Sequence, residues 1–82
     1  MLIPLLLFQE GGRILTLGEF FRHRRLEKGL SLRKLAKLSG VYFSTLSRIE
    51  RGRNKHPELR TVAAIIQVLD IPHEDVMIFY KK

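Results

Sequence analysis

Apolar and polar positions along the chain change their period once, at Leu17. Before it, Met1–Phe8 (MLIPLLLF) is apolar, Gln9–Gly12 (QEGG) is turn-like and Arg13–Thr16 (RILT) turns apolar again. Pro4 is compatible with an edge strand but not a central one, so residues 1–16 are expected to form a short hairpin or an extended apolar arm. From Leu17 the spacing i, i+3, i+4, i+7/i+8 aligns Leu17, Phe20, Phe21 and Arg24/Arg25 on one helical face. Thr16, followed three residues later by Glu19, has the form of a capping box. Gly29 stands where a helix commonly ends in the left-handed C′ conformation.

Four further helices are predicted. Ser31 is a good N-cap for a short second helix with Leu32, Leu35, Ala36 and Ser39 inside and Arg33, Lys34 and Lys37 facing away. Gly40 ends it. The third covers about Tyr42–Arg51 and stops at Gly52. On a wheel of 100° per residue, Tyr42, Leu46 and Ile49 lie within about 60° of one another and form the predicted buried stripe. Phe43, Ser44, Ser47, Arg48 and Arg51 take the opposite side, with Glu50 at the border. The fourth helix spans Leu59–Leu69, with Leu59, Val62, Ala63, Ile66 and Leu69 along one side. The fifth runs from His73 to about Tyr80 and opens with Glu74 and Asp75, where acids suit the positive end of the helix dipole. The glycine-containing joint SGV between helices two and three has the form of a helix-turn-helix turn. The chain thus divides into an arm (1–16), an all-α domain (17–80) and a basic tail (81–82).

Composition adds constraints that periodicity does not carry. A chain of 82 residues is one small domain. With no cysteine it has no disulfide and no thiolate metal site. The longest unbroken apolar run, Leu5–Phe8, is far short of the ~20 residues needed to span a bilayer, and the Met1–Phe8 block lacks the basic lead-in of a secretory signal, so a soluble, cytoplasmic protein is expected. The net charge is +7, and its distribution is uneven. Arg22, Arg24, Arg25, Lys28, Arg33, Lys34, Lys37, Arg48, Arg51, Arg53, Lys55 and Arg60 face only Glu27, Glu50 and Glu58, whereas Thr61–Tyr80 has acids and no Lys or Arg. A basic middle of this kind points to a polyanion-binding face. His23, His56 and His73 show no metal-ligand spacing, and no His and carboxylate are placed to activate a serine of helix three, so no metal, cofactor or catalysis is expected.

A helix face of Ser, Arg and an apolar ring, with no acid, suits the DNA major groove. Arg forks onto guanine O6 and N7, Ser meets donors or acceptors, and a ring touches the thymine methyl. Here the sequence resembles a known family. LEKGLS before helix two, LA inside it, SGV at the turn, STLSRIERG in helix three and P-x-L-x-T-V opening helix four occur in order between Leu17 and Val76. Together they are similar to the Cro/C1-type helix-turn-helix domains of phage repressors and bacterial regulators.

The resemblance implies a five-helix, lambda-repressor-like bundle that binds double-stranded operator DNA, usually as a dimer, with helix three in the major groove. It places base contacts at Phe43, Ser44, Ser47 and Arg48. Phosphate contacts fall at Ser31, Arg33, Lys34, Arg51, Arg53, Asn54 and Lys55, and Arg25 and Glu50 form a structural ion pair. A Glu at the border of a mostly buried helix wants such a forked partner. Two positions depart from the family pattern: Leu32 stands where Gln is frequent, and Tyr42 where a Ser or Thr cap is usual. Apolar residues left over at the two ends, Leu2, Ile3, Leu5, Leu7, Met77, Phe79 and Tyr80, are candidates for a homodimer contact. The expected function is a cytoplasmic, bacterial or phage-encoded transcriptional regulator, in the form of a homodimeric repressor. The alternative is an antitoxin or adaptor that uses the same bundle to hold a protein partner.

Overall fold

A computed structural model of the chain describes residues 9–10 and 13–80. The apolar leader, with Leu2, Ile3, Leu5 and Leu7, and the tail 81–82 lie outside the described residues. Two short strands, β1 (Gln9–Glu10) and β2 (Arg13–Ile14), pair antiparallel with Gln9 opposite Ile14 and Glu10 opposite Arg13. Five helices follow: α1 (Leu17–Glu27), α2 (Leu32–Ser39), α3 (Phe43–Glu50), α4 (Leu59–Leu69) and α5 (His73–Met77), the last continued by a 3-10 turn, Ile78–Tyr80.

Local chemistry accounts for most of these boundaries. The Thr16 hydroxyl accepts from the Glu19 amide at 3.2 Å, and Glu19 Oε1 accepts from the Thr16 amide at 2.9 Å. Each side chain thereby satisfies an amide that the first turn of α1 leaves without a helical partner. At the other end the Leu30 amide donates to the Arg25 carbonyl at 3.1 Å, with Gly29 at a φ of +70°. Ser31 caps α2 by accepting from the Lys34 amide at 3.0 Å. Gly40, at a φ of +77°, closes α2 with its amide on the Ala36 carbonyl and redirects the chain into α3, a backbone state costly for any residue with a Cβ.

The core is one cluster drawn from all five helices and the joint between α4 and α5: Leu17, Phe20, Phe21, Leu35, Leu46, Ile49, Val62, Ile65, Leu69, Ile71 and Val76. Phe79 packs inward against it, its ring centroid 5.5 Å from that of Phe20. Gly18 matters for a different reason. A Cβ there would collide with the Ile49 carbonyl, so the missing side chain lets α1 lie directly against the end of α3.

Two predicted stripes need correction. Tyr42 is 81% exposed, not buried with Leu46 and Ile49. Its backbone (φ −58°, ψ 140°) is that of the residue before the helix, so the 100° step does not apply to it. In α4, Leu59 is 75% exposed and Ala63 is also exposed, whereas Ile65 is fully buried beside Val62 and Leu69. The helix is rotated so that an isoleucine, rather than an alanine, meets the core, which removes more apolar surface from water.

Candidate nucleic-acid interface

The region of interest is α2, its turn and α3. In the turn the Val41 amide donates to Ser39 Oγ at 3.2 Å. Tyr42 makes no side-chain cap hydrogen bond, and α3 begins with the Leu46 amide on the Tyr42 carbonyl at 3.0 Å. That bond is the first regular bond of the helix, so the first-turn amides of α3 receive no side-chain cap from Tyr42. Leu46 and Ile49 anchor the inner face in the core, while Ser44, Arg48 and Arg51 lie open on the outer face with Ser47 half-buried beside them. Phe43, at the edge of that arc, is 42% exposed.

The ion pair implied by the resemblance is formed. Arg25 Nε and Nη2 donate to Glu50 Oε2 and Oε1 at 2.8 and 2.9 Å, and Nη1 donates to the Leu30 carbonyl at 2.8 Å. The two side chains are 10% and 7% exposed. The hydrogen bonds to Glu50 hold the Arg25 guanidinium protonated even more firmly than an ordinary arginine, against the opposing effect of burial. This fork ties the end of α1, the loop before α2 and the end of α3 into one unit. It also takes up Glu50, the sole acid of α3, leaving the outer face of that helix without negative charge.

The remaining candidates flank α3 at both ends. On the α2 side, Arg33 and Lys34 are exposed, and Ser31 has its oxygen engaged by the Lys34 amide. After α3, Arg51, Arg53 and Lys55 are exposed. Their loop is ordered by the Arg48 carbonyl, which accepts from the Arg53 and Asn54 amides at 2.8 and 3.2 Å. Asn54 Oδ1 accepts from the His56 amide at 3.2 Å, so that side chain serves the loop's own turn. A shallow cleft of about 430 Å³ opens beside it, lined by Tyr42, Thr45, Arg60 and Thr61 among others.

Three features were not legible from spacing. Gly18 approaches the α3 backbone, the Arg33 guanidinium carbon sits 4.9 Å from the centroid of the Phe43 ring, and Lys28 Nζ donates to Asp70 Oδ2 at 2.7 Å. Asp70 itself ends α4 at a φ of +55°, a position that usually holds Gly or Asn.

Residues 16–77 match the family model of a helix-turn-helix domain, and the chain belongs to that family. Curated relatives named as HTH-type transcriptional regulators agree with the resemblance. The chain is 37% identical over 62 residues to the HTH-type transcriptional repressor RghR of Bacillus subtilis (strain 168), covering 76% of this chain and 46% of that protein. It is 33% identical over 60 residues to the uncharacterized HTH-type transcriptional regulator RghRB of the same organism, covering 73% and 43%. It is 38% identical over 55 residues to the HTH-type transcriptional regulator SinR, also of Bacillus subtilis, covering 67% and 50%. The chain spans about half the length of these curated relatives. No solved structure matches the chain significantly. Among the described residues, no helix is long and apolar enough to cross a membrane.

Proposed function

We propose that this domain binds double-stranded operator DNA within a transcriptional repressor, with the outer face of α3 in the major groove. The observation that carries this reading is the one-sidedness of α3. Its single acid is bound to Arg25, while Ser44, Ser47 and Arg48 are left to reach base edges. Arg33, Lys34, Arg51, Arg53 and Lys55 flank them as phosphate partners. Arg48 forks onto a guanine and the serines meet neighbouring donors or acceptors. The names of the relatives support the same reading.

The active form is a homodimer in the bacterial cytoplasm. Met77, Ile78, Tyr80 and Leu59 are exposed on the α4–α5 side, where Pro57, Leu59, Val62, Ile66, Met77 and Tyr80 line an apolar groove of about 220 Å³. This apolar surface supports pairing with a second copy. Two α3 helices would then enter successive major grooves about 34 Å apart.

Selection of bound duplexes from a random pool tests the proposal, followed by titration of a recovered duplex across salt. The expected result is a partly palindromic site with half-sites one helical turn apart and an affinity that falls steeply with salt. No preference over random DNA, or a flat salt dependence, would sink it.

A further inference from the structure

Arg33 of α2 and Phe43 of α3 meet across the turn, with the guanidinium carbon over the aromatic ring. Phe43 is the first residue of α3, at the edge of its outer face, and belongs to no part of the buried cluster. Arg33 is in the first turn of α2, exposed, and makes no ion pair with any carboxylate among the described residues. Its neighbour Leu32 is packed against the core and offers no polar group. With the guanidinium carbon 4.9 Å above the ring centroid, the contact is well within the ~6 Å range of a cation–π interaction.

Where a guanidinium lies flat on a ring, the contact uses only one of its faces. Its donors lie in the plane, around the edge. A guanidinium held by its face against a ring keeps that edge open to a planar or tetrahedral oxygen pair, and phosphate accepts the fork. The ring also restricts a side chain that would otherwise sample many rotamers, so less freedom is lost on binding. In a helix-turn-helix the first of the two helices crosses the DNA backbone while the second enters the groove. Arg33 is on that first helix.

We propose that Phe43 is a positioning residue: its ring holds Arg33 edge-outward, so that Arg33 forks onto a backbone phosphate, and Phe43 itself does not read a thymine methyl. The inference rests on the DNA-binding reading of the domain. It replaces the base contact that the place of Phe43 on α3 would otherwise imply.

The test is a salt series of binding titrations with a duplex recovered from a random pool by the wild-type chain. The variants are R33A, F43L, F43Y and R33A/F43L, each checked for helical content and melting temperature. R33A is expected to bind about tenfold more weakly at low salt, with a log–log salt slope shallower by about one. F43L keeps an apolar side chain able to touch a methyl group but removes the ring. It is expected to lose about threefold with base preference intact, F43Y restores the loss, and the double variant binds no more weakly than R33A alone. The proposal is overturned if F43L relaxes preference at a single T·A pair with an unchanged slope, or if the R33A and F43L losses multiply. Should F43L fold poorly, R33K decides instead. Lysine keeps the charge without the planar fork, so the slope holds while affinity drops about threefold, and binding equal to wild type overturns the pair. A wild-type chain that prefers no duplex overturns the pair together with the reading beneath it, whereas independent losses in a wild type that binds overturn the pair alone.

Discussion

Arg48 and Ile49 are adjacent in α3, yet they belong to regions built on opposite rules. On the inner side every polar group is matched: Glu50 receives the fork of Arg25, the third arm of that guanidinium reaches the Leu30 carbonyl, and Gly18 lets the α1 backbone touch the Ile49 carbonyl. Among the described residues no buried side-chain donor or acceptor lacks a partner. On the outer side Arg48, Arg51 and Arg53 have no carboxylate partner among the described residues, and Arg33 has a ring instead. The difference is that between a mount and a tool. Cations left without intramolecular partners keep their charge for an external polyanion, and they keep a fixed place only because the opposite face of the same helix is clamped.

Breaking the clamp has the largest expected effect. Glu50→Ala leaves the Arg25 guanidinium buried and unpaired, and loss of one partner of a buried pair costs about 3–5 kcal/mol. In a domain of this size that lowers the melting temperature by well over 10 °C, since each kcal/mol corresponds to roughly 4–8 °C. Replacing both partners together, Arg25→Met with Glu50→Leu, is expected to recover most of that loss while leaving α3 less well aimed. Calorimetry would then show near-native stability, and DNA titration would still show weakened binding. A double variant that bound like wild type would show that the clamp has no role in aiming the helix. Gly18→Ala comes next. Its methyl meets backbone rather than a movable side chain, so α1 and α3 must separate, at about 1–3 kcal/mol, read as a lower melting temperature and weaker binding together.

The same comparison shows what was legible in the sequence. Features decided within a few residues were readable: the Thr16–Glu19 box, the Ser31 cap and the glycine stops after α1 and α2 each depend on neighbours three or four positions away. The cationic face was readable because charge asymmetry survives any rotation of a helix. The helical wheel was unreliable at element ends, where Tyr42 and Leu59 are not held by the surrounding turn, and in α4, where Ala63 and Ile65 compete for the core. Gly18 and the Arg33–Phe43 stack were hidden because each joins different helices, and no periodicity along one helix records its neighbour. The Arg25–Glu50 pair lies equally far apart in the chain and was reached only through the family resemblance.

The outer side is best sharpened by separating reading from holding. Arg48→Ala is expected to cost about 1–3 kcal/mol of discrimination at one or two base pairs, so a selection from random DNA would return a site degenerate there and unchanged elsewhere. Arg53→Ala is expected to weaken all duplexes alike and to make the salt slope shallower by about one. Melting temperatures of both variants should match wild type, because neither residue touches the clamp. If Arg53→Ala changed the selected sequence, the division of α3 and its following loop into readers and anchors would be wrong.

The smallest effect is expected far from the recognition face, where Lys28 bridges α1 to the end of α4. The Asp70 carboxyl is held below its usual value mainly by the hydrogen bond from Lys28 and by that residue's charge. A carboxylate depressed in the folded state favours folding above its unfolded pKa, about 3.9, and that contribution is lost as pH falls through the lower folded value. Asp70 is exposed, so water and salt screen the pair. The difference in melting temperature between wild type and Asp70→Asn should therefore be small at neutral pH, shrink as the solution is acidified below about pH 4, and shrink also at high salt. Asn tolerates the left-handed backbone of this position, which separates the charge from the conformation. An Asn variant whose deficit persisted unchanged into acid would show that the carboxylate is not what ties α1 to α4.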